Sequence, residues 1–163
     1  MLKKNSPLII LLFSTVLVLS LVSCTPRTRL EKEERTRINE YLSNNSNQAF
    51  VHKPSGLYYL EVLPGTGISP VKNGSVYILY TLKLLTGDII DSNVSSGVPR
   101  GFLIGTDITG FDEGLMLMKQ GGKSTLLIPS SLAYGAYGSY PVISGYTPLL
   151  FDVELVKVVQ HCW

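Results

Sequence analysis

The sequence predicts an α+β domain in which an antiparallel β-sheet of about five strands wraps over one short helix. Three observations point there. Stretches of extended, β-rich patterning between Leu57 and Val156 far outweigh those with helical spacing. The longest, Ser75 to Leu85, puts Val76, Ile78, Tyr80, Leu82 and Leu84 on one wholly apolar face and a mixed set on the other. Within that span, Phe111, Leu115 and Met118 fall at i, i+4 and i+7 on one face of a single helix.

The chain opens on Lys3 and Lys4 and an almost unbroken apolar run from Leu8 to Leu21. A membrane span needs about 20 apolar residues, and this shorter run fits the apolar core of a secretory signal. It ends in Leu21-Val22-Ser23-Cys24, which resembles the bacterial lipobox, where the chain is cut before the Cys and lipid joins its sulfur. Residues 1–23 are expected to be a lipoprotein signal peptide and Cys24 the lipidated N-terminus. A transmembrane anchor that happens to contain a cysteine is the alternative. Thr25 is not the Asp that commonly holds such proteins at the inner membrane. The expected location is therefore the cell envelope, the outer membrane favoured over the inner.

That expectation changes the charge balance. Of 14 Lys and Arg, Lys3 and Lys4 leave with the leader, so 12 face the 12 Asp and Glu. No basic field remains to attract nucleic acid. With Cys24 spent on lipid, Cys162 has no partner within the chain, which excludes a disulfide-stapled fold. His52 and His161 sit outside any Cys/His/Asp cluster at ligand spacing, so no metal is expected. No serine lies in a nucleophile-elbow context, and no cofactor is implied.

Residues 24–50 read as the lipidated terminus followed by a charged, partly helical linker. Arg27, Arg29, Lys32, Arg35 and Arg37 alternate with Glu31, Glu33, Glu34 and Glu40, and Leu30, Ile38, Tyr41 and Leu42 give only a thin apolar stripe. Ser43 to Asn47 breaks the helix. The domain follows over residues 51–163. Leu57 to Leu63 is a strand bounded by Pro54-Ser-Gly56 and Pro64-Gly-Thr-Gly67. After the long strand, Thr86-Gly87-Asp88 turns and Ile89 to Ser92 resumes an extended course. Phe102 to Gly105 is a short strand, and the helix from Phe111 is expected to stop at Gly121-Gly122. Thr125 to Ile128 is a strand. Ser130 to about Thr147 is a flap rich in glycine and tyrosine. Leu149 to Val156 is the last strand, with Leu149, Phe151, Val153 and Leu155 on one side.

On residue type alone, Phe102, Phe111 and Phe151 are core residues of any β-rich domain. Tyr134 reads equally as a turn tyrosine, and Asp91 as a turn carboxylate. The order and spacing of motifs say more. Ser55-Gly-Leu-Tyr-Tyr with Gly65-Thr-Gly67, Tyr80-Thr with Gly87 and Asp91-Ser, Gly110-Phe-Asp-Glu-Gly114 with Met118 and Gly121, Ala133-Tyr-Gly135, and Leu149 to Leu155 agree in register with one family. The chain resembles the FK506-binding-protein class of peptidyl-prolyl cis/trans isomerases over about Ser55 to Lys157. Its small lipidated members, including a gliding-motility-associated type, are the subgroup it most resembles.

The resemblance implies an aromatic pocket for a prolyl peptide. It gives Tyr134 and Asp91 the catalytic positions, as the flap hydroxyl that binds the peptide carbonyl and the polar group on the proline's carbonyl side. It places Phe111 at the pocket floor, and Tyr80, Ile90, Phe102, Ile108, Ile143 and Phe151 around it. The implied partners are proline-containing polypeptide clients, with the membrane reached through the N-terminal lipid and a monomer expected. Departures stand out. Phe111 replaces a tryptophan, Ile90 a phenylalanine, and Arg100 another pocket phenylalanine. Leu82 replaces a glycine and Ser144 a proline, and the Gly105–Gly110 connection is short. Two lost aromatic walls should weaken proline binding and catalysis while the fold survives, which keeps open a catalytically weak or inactive binding or chaperone module of an envelope assembly.

Overall fold

A computed structural model describes residues 26–159; the leader, Cys24, His161 and Cys162 lie outside them. The apolar alternation around Tyr80 becomes the central strand. Along β3 (Ser75–Leu84), Val76, Ile78, Tyr80 and Leu82 are buried while the residues between them are partly or largely exposed. A strand one-sided in this way must be covered by something apolar, and helix α2 (Thr109–Leu117) supplies the cover. Its Phe111 and Leu115, with Met118 just beyond, are each 1% exposed or less. The helix approaches closely because Gly114 lies against Leu126, where a Cβ would fall 2.4 Å from a Leu126 methyl.

The described sheet has seven strands rather than about five. β1 (Val51–His52), β2 (Tyr58–Leu63), β6 (Lys123–Ile128), β7 (Leu149–Val159), β3 and β4 (Ile89–Ser92) run in that order, with β5 (Arg100–Leu103) also pairing to β3, and all pairings antiparallel. The helix ends earlier than the sequence suggests. Met118 adopts extended backbone and turns its side chain into the core, so α2 stops at Leu117 and not at Gly121-Gly122. Gly121 instead takes a left-handed conformation (φ 85) in the turn into β6, and its N–H donates to Leu155 O at 2.7 Å.

The charged segment after residue 25 also differs from a free spacer. It is helical throughout as α1 (Pro26–Asn44), and it docks on the sheet face opposite α2. Strand alternation makes this necessary: Leu126 and Phe151 point to α2, so Leu127 and Leu150 point away, and Ile38 of α1 buries them. Tyr41, Leu42, Phe50, Tyr58 and Leu85 complete this second, smaller cluster. No helix among the described residues is long and apolar enough to cross a membrane.

Candidate functional site

The site forms where β3 changes partners. β5 pairs with Ser75 to Ile78 and β4 with Thr81 to Lys83, leaving Tyr80 at the gap between them. Asn93 fills that gap. Its Oδ1 accepts the Tyr80 N–H at 2.7 Å, and its Nδ2 donates to Ile78 O and Val98 O at 3.0 Å. Its own N–H and the Ser92 hydroxyl donate to Tyr80 O at 3.2 and 3.1 Å, so the backbone that would otherwise be an unpaired edge is satisfied. The loop that Asn93 fixes joins β4 to β5, and these strands present Asp91 and Arg100 to the Tyr80 hydroxyl.

Tyr80 Oη donates to Asp91 Oδ2 at 2.5 Å, and Arg100 Nη1 donates to Tyr80 Oη at 2.9 Å. Arg100 also pairs with Asp91 at 3.5 Å and lies over the Phe102 ring, 5.4 Å from its centroid. Burial, and then the bond to Asp91, raise the Tyr80 pKa above its ordinary value. The phenol therefore stays protonated, a donor, at neutral pH. Arg100 takes the place of an expected aromatic wall, yet it is a member of the site: it covers Phe102 and ties both polar residues together.

Below this polar edge, four rings contact one another in a closed circuit. Tyr80 meets Phe102 edge-on at 5.6 Å, Phe102 meets Phe111 at 5.5 Å, Phe111 meets Phe151 at 4.6 Å, and Phe151 returns to Tyr80 at 6.3 Å. These separations and tilts are those that aromatic quadrupoles favour. Register sets the circuit: β3 aligns Leu82 with Phe151, β5 aligns Phe102 with Val76, and α2 delivers Phe111 from above. Phe111 is 1% exposed, inside the core, while Phe102 is half-buried. Ile143 is buried in the same cluster, and Ile90 and Ile108 pack partly buried against it.

Tyr134 lies on the flap, just past the short 3-10 turn Ser130–Leu132. Its ring is 38% exposed, and burial followed by the nearby Asp107 charge raises its pKa, so its hydroxyl is protonated at neutral pH. Asp107 immediately precedes Ile108 and accepts its N–H through Oδ1 at 2.8 Å. Asp112 in turn accepts the Asp107 N–H at 3.3 Å. This fixes the turn that starts α2 and with it the Ile108 wall.

The structure thus brings Tyr80, Asp91, Phe102, Phe111 and Phe151 into direct contact, seats Ile90, Ile108 and Ile143 around them, and holds Tyr134 on a separate loop. Sequence reading missed Asn93 altogether and treated Arg100 only as a departure. Two consecutive polar or β-breaking residues after a strand signal a loop, but not which backbone groups the loop satisfies. A recess of about 630 Å³ lies between α1 and the flap, lined by Arg27, Glu31, Arg35, His52, Tyr58 and Tyr146. It is distinct from the aromatic site. Among the described residues no group of His, Cys, Asp and Glu is arranged to hold a metal ion.

Comparisons with known proteins bear on the same region. A family model described as FKBP-type peptidyl-prolyl cis-trans isomerase matches residues 67–156, which hold every residue of the aromatic site and Tyr134. The chain is 36% identical over 121 residues to the FKBP-type 22 kDa peptidyl-prolyl cis-trans isomerase of Escherichia coli (strain K12), covering 74% of this chain and 59% of that protein. It is 34% identical over 128 residues to the outer membrane protein MIP of Legionella longbeachae, covering 78% of this chain and 55% of that one. The chain therefore spans less than two thirds of these relatives' length. The crystal structure of a peptidyl-prolyl cis-trans isomerase from Pseudomonas syringae pv. tomato superposes with a TM-score of 0.73 at 34% identity, covering 83% of this chain and 98% of that one.

Proposed function

The chain belongs to the FKBP-type peptidyl-prolyl cis-trans isomerase family, and on that premise we propose that it accelerates rotation about X-Pro bonds of exported polypeptides at the bacterial cell envelope. The observation that carries this is the closed circuit of Tyr80, Phe102, Phe111 and Phe151 with a polar edge on one side and a protonated tyrosine on the flap.

The chemistry requires no nucleophile. Rotation about a prolyl amide must break partial double-bond character, against a barrier of about 18–20 kcal/mol. A planar amide is more polar than a twisted one. Moving it from water onto an apolar floor therefore disfavours the ground state relative to the twisted state. Lowering the barrier by ~4 kcal/mol gives roughly a thousandfold acceleration. Phe111 forms the floor on which the proline ring rests, Tyr80, Phe102 and Phe151 its walls, and Ile90, Ile108 and Ile143 the aliphatic rim. The Tyr134 hydroxyl donates to the peptide carbonyl and holds one side of the rotating bond. Asp91 faces the proline's carbonyl side, held there by Tyr80 and Arg100. Attachment through lipid on Cys24, with the outer membrane favoured, completes the reading; the outer-membrane name of one relative supports it.

The test is a prolyl-isomerisation assay on the full chain and on Tyr134→Phe. The variant loses one hydrogen bond, so kcat/KM should fall about three- to tenfold with the fold intact. A folded wild type that accelerates no X-Pro peptide would leave the non-catalytic binding module in place of the enzyme.

A further inference from the structure

We infer that helix α1 anchors the flap, with Glu34 and Arg37 as positioning residues that set Tyr134 for the client carbonyl. The inference rests on the isomerase reading of Tyr134 but concerns residues outside the aromatic site.

The flap that carries Tyr134 reaches the main core through Ile143, 5% exposed, and through Leu132 and Ala133, but its tip stands clear of it. Tyr137 and Tyr140 at its tip are 95% and 94% exposed. Its two arms meet through an isolated bridge between Ser139 and Ile143 and through tight backbone contacts: a Cβ on Gly145 would fall 2.0 Å from Ala136 O. What fixes the base is a relay of hydrogen bonds that begins and ends on α1. Glu34, 8% exposed, accepts the Ser130 N–H through Oε1 at 2.6 Å and the Ser130 hydroxyl through Oε2 at 2.7 Å. The Ser130 carbonyl accepts the N–H groups of Ala133 and Gly135 at 2.9 and 2.7 Å, the residues on either side of Tyr134. The Gly135 carbonyl accepts the Tyr146 N–H at 2.9 Å. Tyr146 O, on the returning arm, accepts from Arg37 Nη2 at 2.6 Å.

Glu34 and Arg37 are three residues apart, neighbours on one helix face. They therefore hold both arms of the flap at a spacing that the helix fixes. The helix itself is fixed to the sheet by Ile38, 5% exposed against Leu127 and Leu150. A buried carboxylate with two donors is a strong, directional contact, costly to leave half-made. Nothing in the fold of the sheet requires it, since α2 and the main core lie on the other face. Its consequence is local: the backbone on both sides of Tyr134 is registered against a rigid element. A binding group held in this way loses less freedom when substrate arrives.

The experiment combines hydrogen exchange with isomerase kinetics on the full chain, comparing wild type, Glu34→Gln, Arg37→Ala and the double variant Glu34→Ala/Arg37→Ala. In the double variant the Gly135 and Tyr146 amides should exchange about tenfold faster or more, while amides of β6 and β7 keep wild-type protection. Its kcat/KM should fall about three- to tenfold, carried mainly by KM. Arg37→Ala, at an exposed position that leaves folding intact, should free the Tyr146 arm alone. Glu34→Gln should stay near wild type in both readouts, because the amide oxygen and nitrogen can serve the Ser130 N–H and hydroxyl. Unchanged flap exchange in the folded double variant overturns the anchor. Faster flap exchange with unchanged kcat/KM overturns its role in positioning Tyr134. A wild type without isomerase activity sinks the catalytic reading, and the exchange measurement still decides the anchor.

Discussion

The two faces of the one sheet do different work. On the face toward α2, every inward position of β3 from Val76 to Leu82 is buried, and Phe111, Leu115 and Met118 close over them. Here the core and the candidate pocket are the same atoms, since the four-ring circuit is also the centre of the packing. On the face toward α1, the buried apolar residues are only Ile38, Leu127 and Leu150 among the described residues. The rest of that face carries partly exposed ion pairs, Lys83 with Asp152 and Lys123 with Glu154. A face that buries a large apolar area contributes most of the stability. A face that buries little can still matter by where it holds a loop. Stability and positioning are thus divided between the two sides of one sheet.

Substitutions that weigh one face against the other sharpen that division. The largest effect belongs to Phe111→Ala, which should cost about 3–5 kcal/mol of unfolding free energy by urea denaturation, because a rigid core leaves a cavity. It should also reduce isomerase activity in whatever fraction stays folded. Ile38→Ala, on the other face, should cost about 2 kcal/mol, the low end for an aliphatic truncation, since its partly wet neighbours can collapse around it. Equal costs for the two would break the comparison. Lys123→Ala removes an ion pair whose side chains are 49% and 38% exposed, and should shift stability by less than about 1 kcal/mol.

The same contrast explains what the sequence made legible. Period-two burial in β3 and the spacing of Phe111, Leu115 and Met118 are local, and each shows on the page as a one-sided pattern. They place the α2 face, and with it the rings of the pocket. The docking of α1 depends instead on Leu127 and Leu150. Their signal was present: Leu126-Leu127-Ile128 and Leu149-Leu150-Phe151 are unbroken apolar runs, which a strand shows when both its faces are covered. The runs did not say what covers the second face, because the α1 stripe is thin and its key member, Glu34, is charged. Asn93 and Arg100 were opaque for another reason. Their partners are fixed by the change of neighbour where β3 passes from β5 to β4, which no periodicity encodes. The end of α2 was misplaced because Met118 serves the core better in extended backbone than in a further turn of helix.

The smallest effect tests the polar edge of the pocket, and it vanishes at neutral pH. Burial first and the hydrogen bond to Asp91 second raise the Tyr80 pKa above 10.0, its ordinary value. A group whose pKa is raised on folding contributes stability that is fully present below its unfolded pKa and is lost as pH rises through the folded one. Wild-type stability should therefore be flat in this respect through neutral pH and decline above about pH 10. Asp91→Asn removes the carboxylate that opposes ionisation while leaving Tyr80 buried, so ultraviolet titration should place Tyr80 lower in the variant than in wild type. The alkaline loss of urea midpoint should then begin at the same pH, set by the unfolded tyrosine, but end at lower pH and be shallower in total, since a smaller gap separates the folded and unfolded values. An unchanged Tyr80 titration in folded Asp91→Asn would mean that burial alone sets it. Asp91 would then owe its orientation to Arg100 rather than to the tyrosine.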